Sequence, residues 1–150
     1  MGRGFTLVEV VVAIFISAAA LFGIETLMVE SYKQWKVSQD VTNLIRDLDL
    51  ASYLVKGVLE EADSDTILNS GTKIVASYKD VWQKELYPTG TNLIFKDAKS
   101  AREEQVIGTL DSLSFEQNSS VSILVKIRVK RGKESLENSF LVYLRNKGGG

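Results

Sequence analysis

The residue types available for chemistry in this chain are few. The 150 residues include no histidine and no cysteine. That removes the commonest general base, imidazole and thiolate metal ligands, thiol nucleophiles and disulfides together. No glycine-rich phosphate loop occurs either, so carboxylate and cationic groups carry what remains. Three places concentrate them. Glu9 is the sole charge between Phe5 and Ile24, a run otherwise broken only by Thr6, Ser17 and Gly23. Glu60-Glu61-Ala62-Asp63-Ser64-Asp65 gathers acids at one point, and Lys126, Arg128 and Lys130 alternate through an apolar run.

Each pattern has a chemistry and a plainer alternative. A carboxylate inside a membrane-length apolar run costs about 3 kcal/mol. An ammonium partner offsets that cost only when register and geometry are right. The plainer alternatives for Glu9 are a place near the headgroups, snorkelling, or protonation. The acidic cluster offers oxygen ligands of the kind calcium takes. The glycine-turned loop of a calcium motif is missing, so a solvated helix end is expected, with no metal and no cofactor. The basic stripe would suit an anionic surface or DNA, although a solvated sheet face that guards against strand aggregation is the commoner role. Formal net charge is -1, so no nucleic-acid partner is expected. No pair of acids is placed for general acid–base work, and no enzyme is expected.

The elements that must position these residues follow from periodicity. Phe5 to Ile24 is long enough to span a bilayer, for which about 20 apolar residues suffice. Arg3 and the free amine precede it, while Glu25 and Glu30 follow with no Lys or Arg before Lys33. The positive-inside tendency therefore puts the amino end in the cytoplasm and the rest outside, held to membrane lipid by one pass. Beyond the span, Val41, Leu44, Ile45, Leu48, Ala51, Leu54 or Val55, and Val58-Leu59 recur at helical spacing. Asp40, Asn43, Arg46, Asp47, Asp49 and Lys56 fall near the other side. No proline precedes Pro88. One helix from Phe5 to about Glu60 is expected, roughly 84 Å long at 1.5 Å per residue. Tyr32 and Trp35 lie too far past Ile24 for a headgroup belt and are expected to pack, in a filament or on the domain.

The remainder reads as strands. Lys73–Tyr78 and Asn92–Lys96 are β-rich runs separated by a Tyr87-Pro88-Thr89-Gly90 turn, and Gln105–Gly108 and Leu113–Glu116 are two more. Val121 to Lys130 alternates strictly, turns at Arg131–Glu134, and returns through Ser135–Leu144 as a long hairpin with one face on a core. The expected fold is α+β: a long N-terminal helix, its first half transmembrane, packed on a small antiparallel sheet. The segments are residues 1–4, 5–24 (membrane), 25–60 (amphipathic helix), 61–147 (β-rich domain) and 148–150, a flexible glycine tail.

Gly4-Phe5-Thr6-Leu7-Val8-Glu9 resembles the prepilin signature of type IV pilins and type II secretion pseudopilins. The resemblance implies a short basic leader, residues 1–4, cut by a prepilin peptidase between Gly4 and Phe5. It implies N-methylation of Phe5 by the same peptidase/methyltransferase, and an assembly contact made by Glu9. It also implies partners: other pilins or pseudopilins through the N-terminal helix, and an inner-membrane assembly platform. Leu7, Val8, Val11, Val12, Ile14 and Phe15 would pack between subunits, with Ala18 to Ala20 and Gly23 permitting close approach. Many major pilins have a proline where this chain has Thr26, and a disulfide loop it lacks. The absence of the proline leans toward a pseudopilin or a minor subunit, and the ending Phe140 to Asn146 is similar to the last strand of minor pilins and pseudopilins of the J or W type. Type II secretion, type IV pilus and DNA-uptake filaments share the signature. Two rival readings differ. One is a secretory signal peptide cut after Ser17-Ala18-Ala19-Ala20, exposing Leu21. The other is a single-pass anchored extracytoplasmic binding domain that never assembles, for which Glu9 would be dispensable.

Overall fold

The structure is a computed structural model that describes residues 6–78 and 82–144. Helix α1 runs Leu7–Glu60 without interruption. It contains no proline, and its glycines, Gly23 and Gly57, are the only residues of strongly poor propensity in it. Two compact units divide the chain, Met1–Gln39 and Asp40–Gly150, so their boundary falls inside α1.

In the first unit the apolar side chains of α1 are open: Leu7 is 82 % exposed and Phe15 72 %. A stretch of this part is long and apolar enough to cross a membrane, and none of it is buried against the protein. In the second unit Leu44, Leu48, Ala51, Val55, Val58 and Leu59 are buried. Their alternating three- and four-residue spacing keeps them on one face. Ile45, expected with that stripe, is instead exposed beside Leu50 and Tyr53 on the far side. Asp47, expected on the polar side, leans inward and accepts a hydrogen bond from Thr109 Oγ1 at 3.0 Å.

Among the described residues eight strands follow: β1 Ser64–Leu68, β2 Lys73–Tyr78, β3 Trp82–Thr89, β4 Asn92–Asp97, β5 Arg102–Ile107, β6 Leu110–Ser119, β7 Ser122–Arg131 and β8 Glu134–Tyr143. The expected antiparallel sheet is present as two, a five-stranded β1-β2-β3-β4-β5 and a three-stranded β6-β7-β8. Strand β7 shows the alternation most cleanly: Ile123, Val125, Ile127 and Val129 are fully buried while Arg128 and Lys130 are exposed. Its hairpin with β8 closes at Gly132-Lys133, with Arg131 opposite Glu134. Gly132 has φ +60°, the conformation a two-residue hairpin loop requires at its first position.

Two further expectations are corrected. The segment after the helix is not wholly an irregular polar break, since Ser64–Leu68 pairs along β2 as strand β1. Tyr87 and Pro88 are not a turn but the end of β3, and the chain reverses at Gly90-Thr91. Proline is tolerated there because β2 accompanies β3 only as far as Leu86, so no ladder bond is lost on that side.

The helix stripe and the inner faces of both sheets meet in one core, with Phe115, Leu44, Leu59, Ile74, Leu86, Leu93, Ile123 and Ile127 among its fully buried members. Burying each such side chain contributes about 1.5–3 kcal/mol. Polar ties fix the register of helix on sheet: Asn138 Nδ2 donates to Ser52 Oγ at 3.2 Å, and Arg131 pairs with Asp40 at 3.5 Å. The helix end needs acceptors satisfied, because its last carbonyls have no intrahelical donor. Ala62 N–H donates to Leu59 C=O, and the buried Tyr78 hydroxyl donates to Val58 C=O.

Burial pushes the Tyr78 hydroxyl well above the usual tyrosine range, with the negative charges of Glu61, Asp97 and Asp63 adding to it. A folded-state pKa raised above the unfolded value of about 10 leaves stability intact below that pH and erodes it as pH rises further. Tyr78→Phe is therefore expected to destabilise the protein in detergent by about 1–3 kcal/mol at pH 7 by orphaning the Val58 carbonyl. The same variant should lose less stability than wild type between pH 9 and about 11, as read by urea denaturation. Ile127→Ala is expected to cost about 2–5 kcal/mol. Ile45→Ala, outside the core, should stay within about 0.5 kcal/mol by the same measurement.

Candidate functional site

The start of α1 explains how Glu9 is held. Thr6 precedes the first helical residue, Leu7, which makes it the N-cap and Glu9 the third residue of the first turn. Thr6 Oγ1 accepts from Glu9 N–H at 3.3 Å. In return Glu9 Oε2 accepts from Thr6 N–H at 2.8 Å and from Thr6 Oγ1–H at 3.0 Å. This reciprocal pair is a capping box, which satisfies two backbone donors that a helix start leaves open. The negative charge also sits at the positive end of the helix dipole. Glu9 is thus anchored by its own chain. The sequence signal for this cap is Thr-x-x-Glu at the head of an apolar run, so Glu9 is not the isolated membrane carboxylate that composition alone suggests.

Glu9 heads one face of the helix. With Val10, Ala13, Ile14, Ser17, Ala18 and Leu21 it lines a shallow groove in the helix surface. Ala13 and Ser17 keep that face low, so another helix backbone could approach closely. Of the residues expected to pack between subunits, only Ile14 and Ala18 belong to it. Farther along, Thr26 Oγ1–H donates to Phe22 C=O at 2.9 Å, an in-helix bond that leaves the ladder intact where a proline would break it. Arg3, Gly4 and Phe5, and with them the expected cleavage and methylation positions, lie outside the described residues, as does the tail 148–150.

The other patterns from the sequence resolve into structure. Among the described residues, no group of three acids is assembled that could hold a metal ion. The acidic run is divided between the end of α1, a turn and the start of β1. In the basic stripe, Lys126 Nζ pairs with Glu116 Oε1 at 2.8 Å and Arg128 Nε donates to Glu137 Oε2 at 2.9 Å. The Glu137 carboxylate raises the Arg128 pKa. Two of the three cations in the stripe are thus neutralised across strands. Trp82 stacks on Tyr78 with ring centroids 4.2 Å apart, and Lys84 and Lys99 sit 5.0 and 5.5 Å from its ring. Such cation–π packing makes it part of the five-stranded sheet. Tyr32 and Trp35 lie 6.0 Å apart and stay exposed.

Residues 2–24 match the family model described as the prokaryotic N-terminal methylation motif. The motif supports the type IV pilin and pseudopilin class. It implies processing by a peptidase and assembly with other pilin-type subunits. Together with the apolar helix it fits a single-pass membrane anchor. No curated protein and no solved structure matches the chain.

Thr6→Ala removes the N-cap oxygen, a loss that costs a helix about 0.5–2 kcal/mol. Amide hydrogen exchange in lipid or detergent should show Glu9 N–H exchanging several-fold faster in this variant, with the amides of residues 44–59 unchanged.

Proposed function

We propose that this chain is a minor pilin or pseudopilin, a structural subunit of a type II secretion pseudopilus or a type IV pilus-like filament. It is held in the cytoplasmic membrane with residues 1–4 in the cytoplasm and the β-rich domain outside, in the periplasm where an outer membrane exists. Prepilin peptidase cuts between Gly4 and Phe5, Phe5 is N-methylated, and an inner-membrane platform draws the subunit into the filament. Its role is mechanical, with no catalytic step of its own. The observation that carries this reading is the methylation motif over residues 2–24, together with a membrane-length apolar stretch of α1 that is not buried among the described residues.

The Glu9 geometry supports a second role for the same side chain. Among the described residues both hydrogen bonds to the carboxylate end on Oε2. The other oxygen can take the ammonium of a neighbouring subunit's processed terminus. Such a pair, formed in a low-dielectric environment, stabilises one register and penalises every register that leaves a charge unpaired.

Intact mass and N-terminal sequencing of protein from membranes of a host with its prepilin peptidase test the reading. The expected product begins at Phe5 and carries one added methyl group. A chain beginning at Leu21 would mean ordinary signal-peptide cleavage, and an uncut chain would mean a plain anchor. Two substitutions separate the roles of Glu9. Glu9→Gln preserves the capping box, because glutamine reaches back as glutamate does, but removes the charge. It is expected to leave the helix start intact while abolishing recovery of the subunit in sheared filaments. Glu9→Leu should lose both. Filament incorporation equal to wild type for Glu9→Gln would show that the carboxylate serves the cap alone. For a non-assembling anchor, neither substitution would change the protein's behaviour in the membrane.

A further inference from the structure

We propose that Asn118 is an acceptor for N-linked glycan transfer on the outer side of the membrane, an inference that rests on the topology given above. The donor class is an oligosaccharide carried on a polyprenyl diphosphate, and the partner is a membrane oligosaccharyltransferase. Asn118-Ser119-Ser120 has the Asn-x-Ser spacing of an acceptor with a residue other than proline between. The chain has six asparagines, and the other five are followed two positions later by Ile45, Gly71, Ile94, Phe140 and Gly148. Only Asn118 meets the pattern. Glu116 places an acid two residues before it, which matches the stricter acid-x-Asn-x-Ser form as well.

The fold presents this segment in a suitable way. Asn118, Ser119 and Ser120 are exposed at the tip of the β6–β7 hairpin. The pairing shifts between Gln117, opposite Ile123, and Ser119, opposite Ser122. Asn118 is the extra residue of that bulge and has no residue opposite it in the backbone register. Bulges redirect a side chain and interrupt the ladder. The tip can therefore open locally into an enzyme groove without unpairing the rest of the sheet. The Glu116 side chain makes an exposed ion pair to Lys126, which is weak and easily exchanged.

The hydrogen bonds at the tip tolerate the product. Asn118 Nδ2 donates to Ser122 Oγ at 3.2 Å, and Ser119 Oγ lies 2.6 Å from the same oxygen. In the transfer, Nδ2 forms a bond to C1 of the first sugar as the C1–oxygen bond to the diphosphate breaks. The polyprenyl diphosphate leaves with that electron pair, and one Nδ2 proton passes to a base on the transferase. The product amide keeps one N–H, so the donation to buried Ser122 can be restored. A sugar at this site projects into solvent and displaces no core residue.

The test is mass spectrometry of the full-length protein from its native membranes, reading the tryptic peptide of residues 103–126. The expected result is a glycan mass on Asn118, lost completely in Asn118→Gln and in Ser120→Ala but retained in Ser120→Thr. Recovery of the wild-type peptide only at its unmodified mass would overturn the inference, as would a glycan that survives Asn118→Gln. The N-terminal peptide of the same sample reports separately on the filament reading. A methylated Phe5 with a bare Asn118 would sink this inference alone, and an uncut terminus with a glycosylated Asn118 would sink the filament reading alone.

Discussion

Apolar side chains on a helix must be kept from water, and α1 meets that requirement in two ways along its length. Residues 44–59 bury a stripe in the core shared with both sheets. Toward the amino end the same helix leaves Leu7, Phe15, Leu21 and Phe22 each more than half exposed. A contiguous open surface of that extent on a protein marks contact with lipid or with another protein. The rest of the structure depends on the continuity of this element. A break would separate the covered half from the uncovered one, and Thr26 sits in an intact ladder where a proline would loosen it.

The capping box changes how the lone acid in the apolar run is understood. A carboxylate without partners in such a place is costly enough to be driven toward neutrality. Thr6 supplies two donors to it, so the charge is compensated inside a single chain. Under the proposed function, one side chain closes the helix start in the lone subunit and selects the register of its neighbour in the filament. The two roles use different oxygens and do not compete.

What the sequence disclosed was whatever repeats with a period. The helix from its apolar run to Glu60, the Ile123–Val129 alternation and the hairpin around Gly132 were all legible because burial on one face enforces a period. Strand β1 was not, because Ser64-Asp65-Thr66-Ile67-Leu68 is an edge strand with little apolar alternation and follows directly on an acidic helix end. Strand β3 was hidden by Pro88, whose usual meaning as a breaker fails where the neighbouring strand has already stopped. Ile45 misled for another reason. One position from Leu44 on a helix is a rotation of about 100°, enough to carry it out of the core that Leu44 enters. At the amino end, the lone acid in the apolar run was legible from composition, whereas its capping bonds depend on the local Thr6-x-x-Glu9 spacing, which composition and periodicity do not register.

Both sheets are meanders in which each strand lies beside the one that precedes it in the chain. Pairing of this kind closes short loops first, and chains dominated by near-neighbour contacts reach their folded state quickly. Under the proposed topology, strands delivered in order across the membrane each add to an existing edge without waiting for distant sequence. The delayed event is the completion of the core that the helix stripe enters, since Val125 and Ile127 of β7 belong to it along with Leu44 and Val55. Until β7 arrives, that core is incomplete. The interval between emergence of β3 and arrival of β7 is the period in which the nascent domain is most exposed to aggregation and to proteolysis.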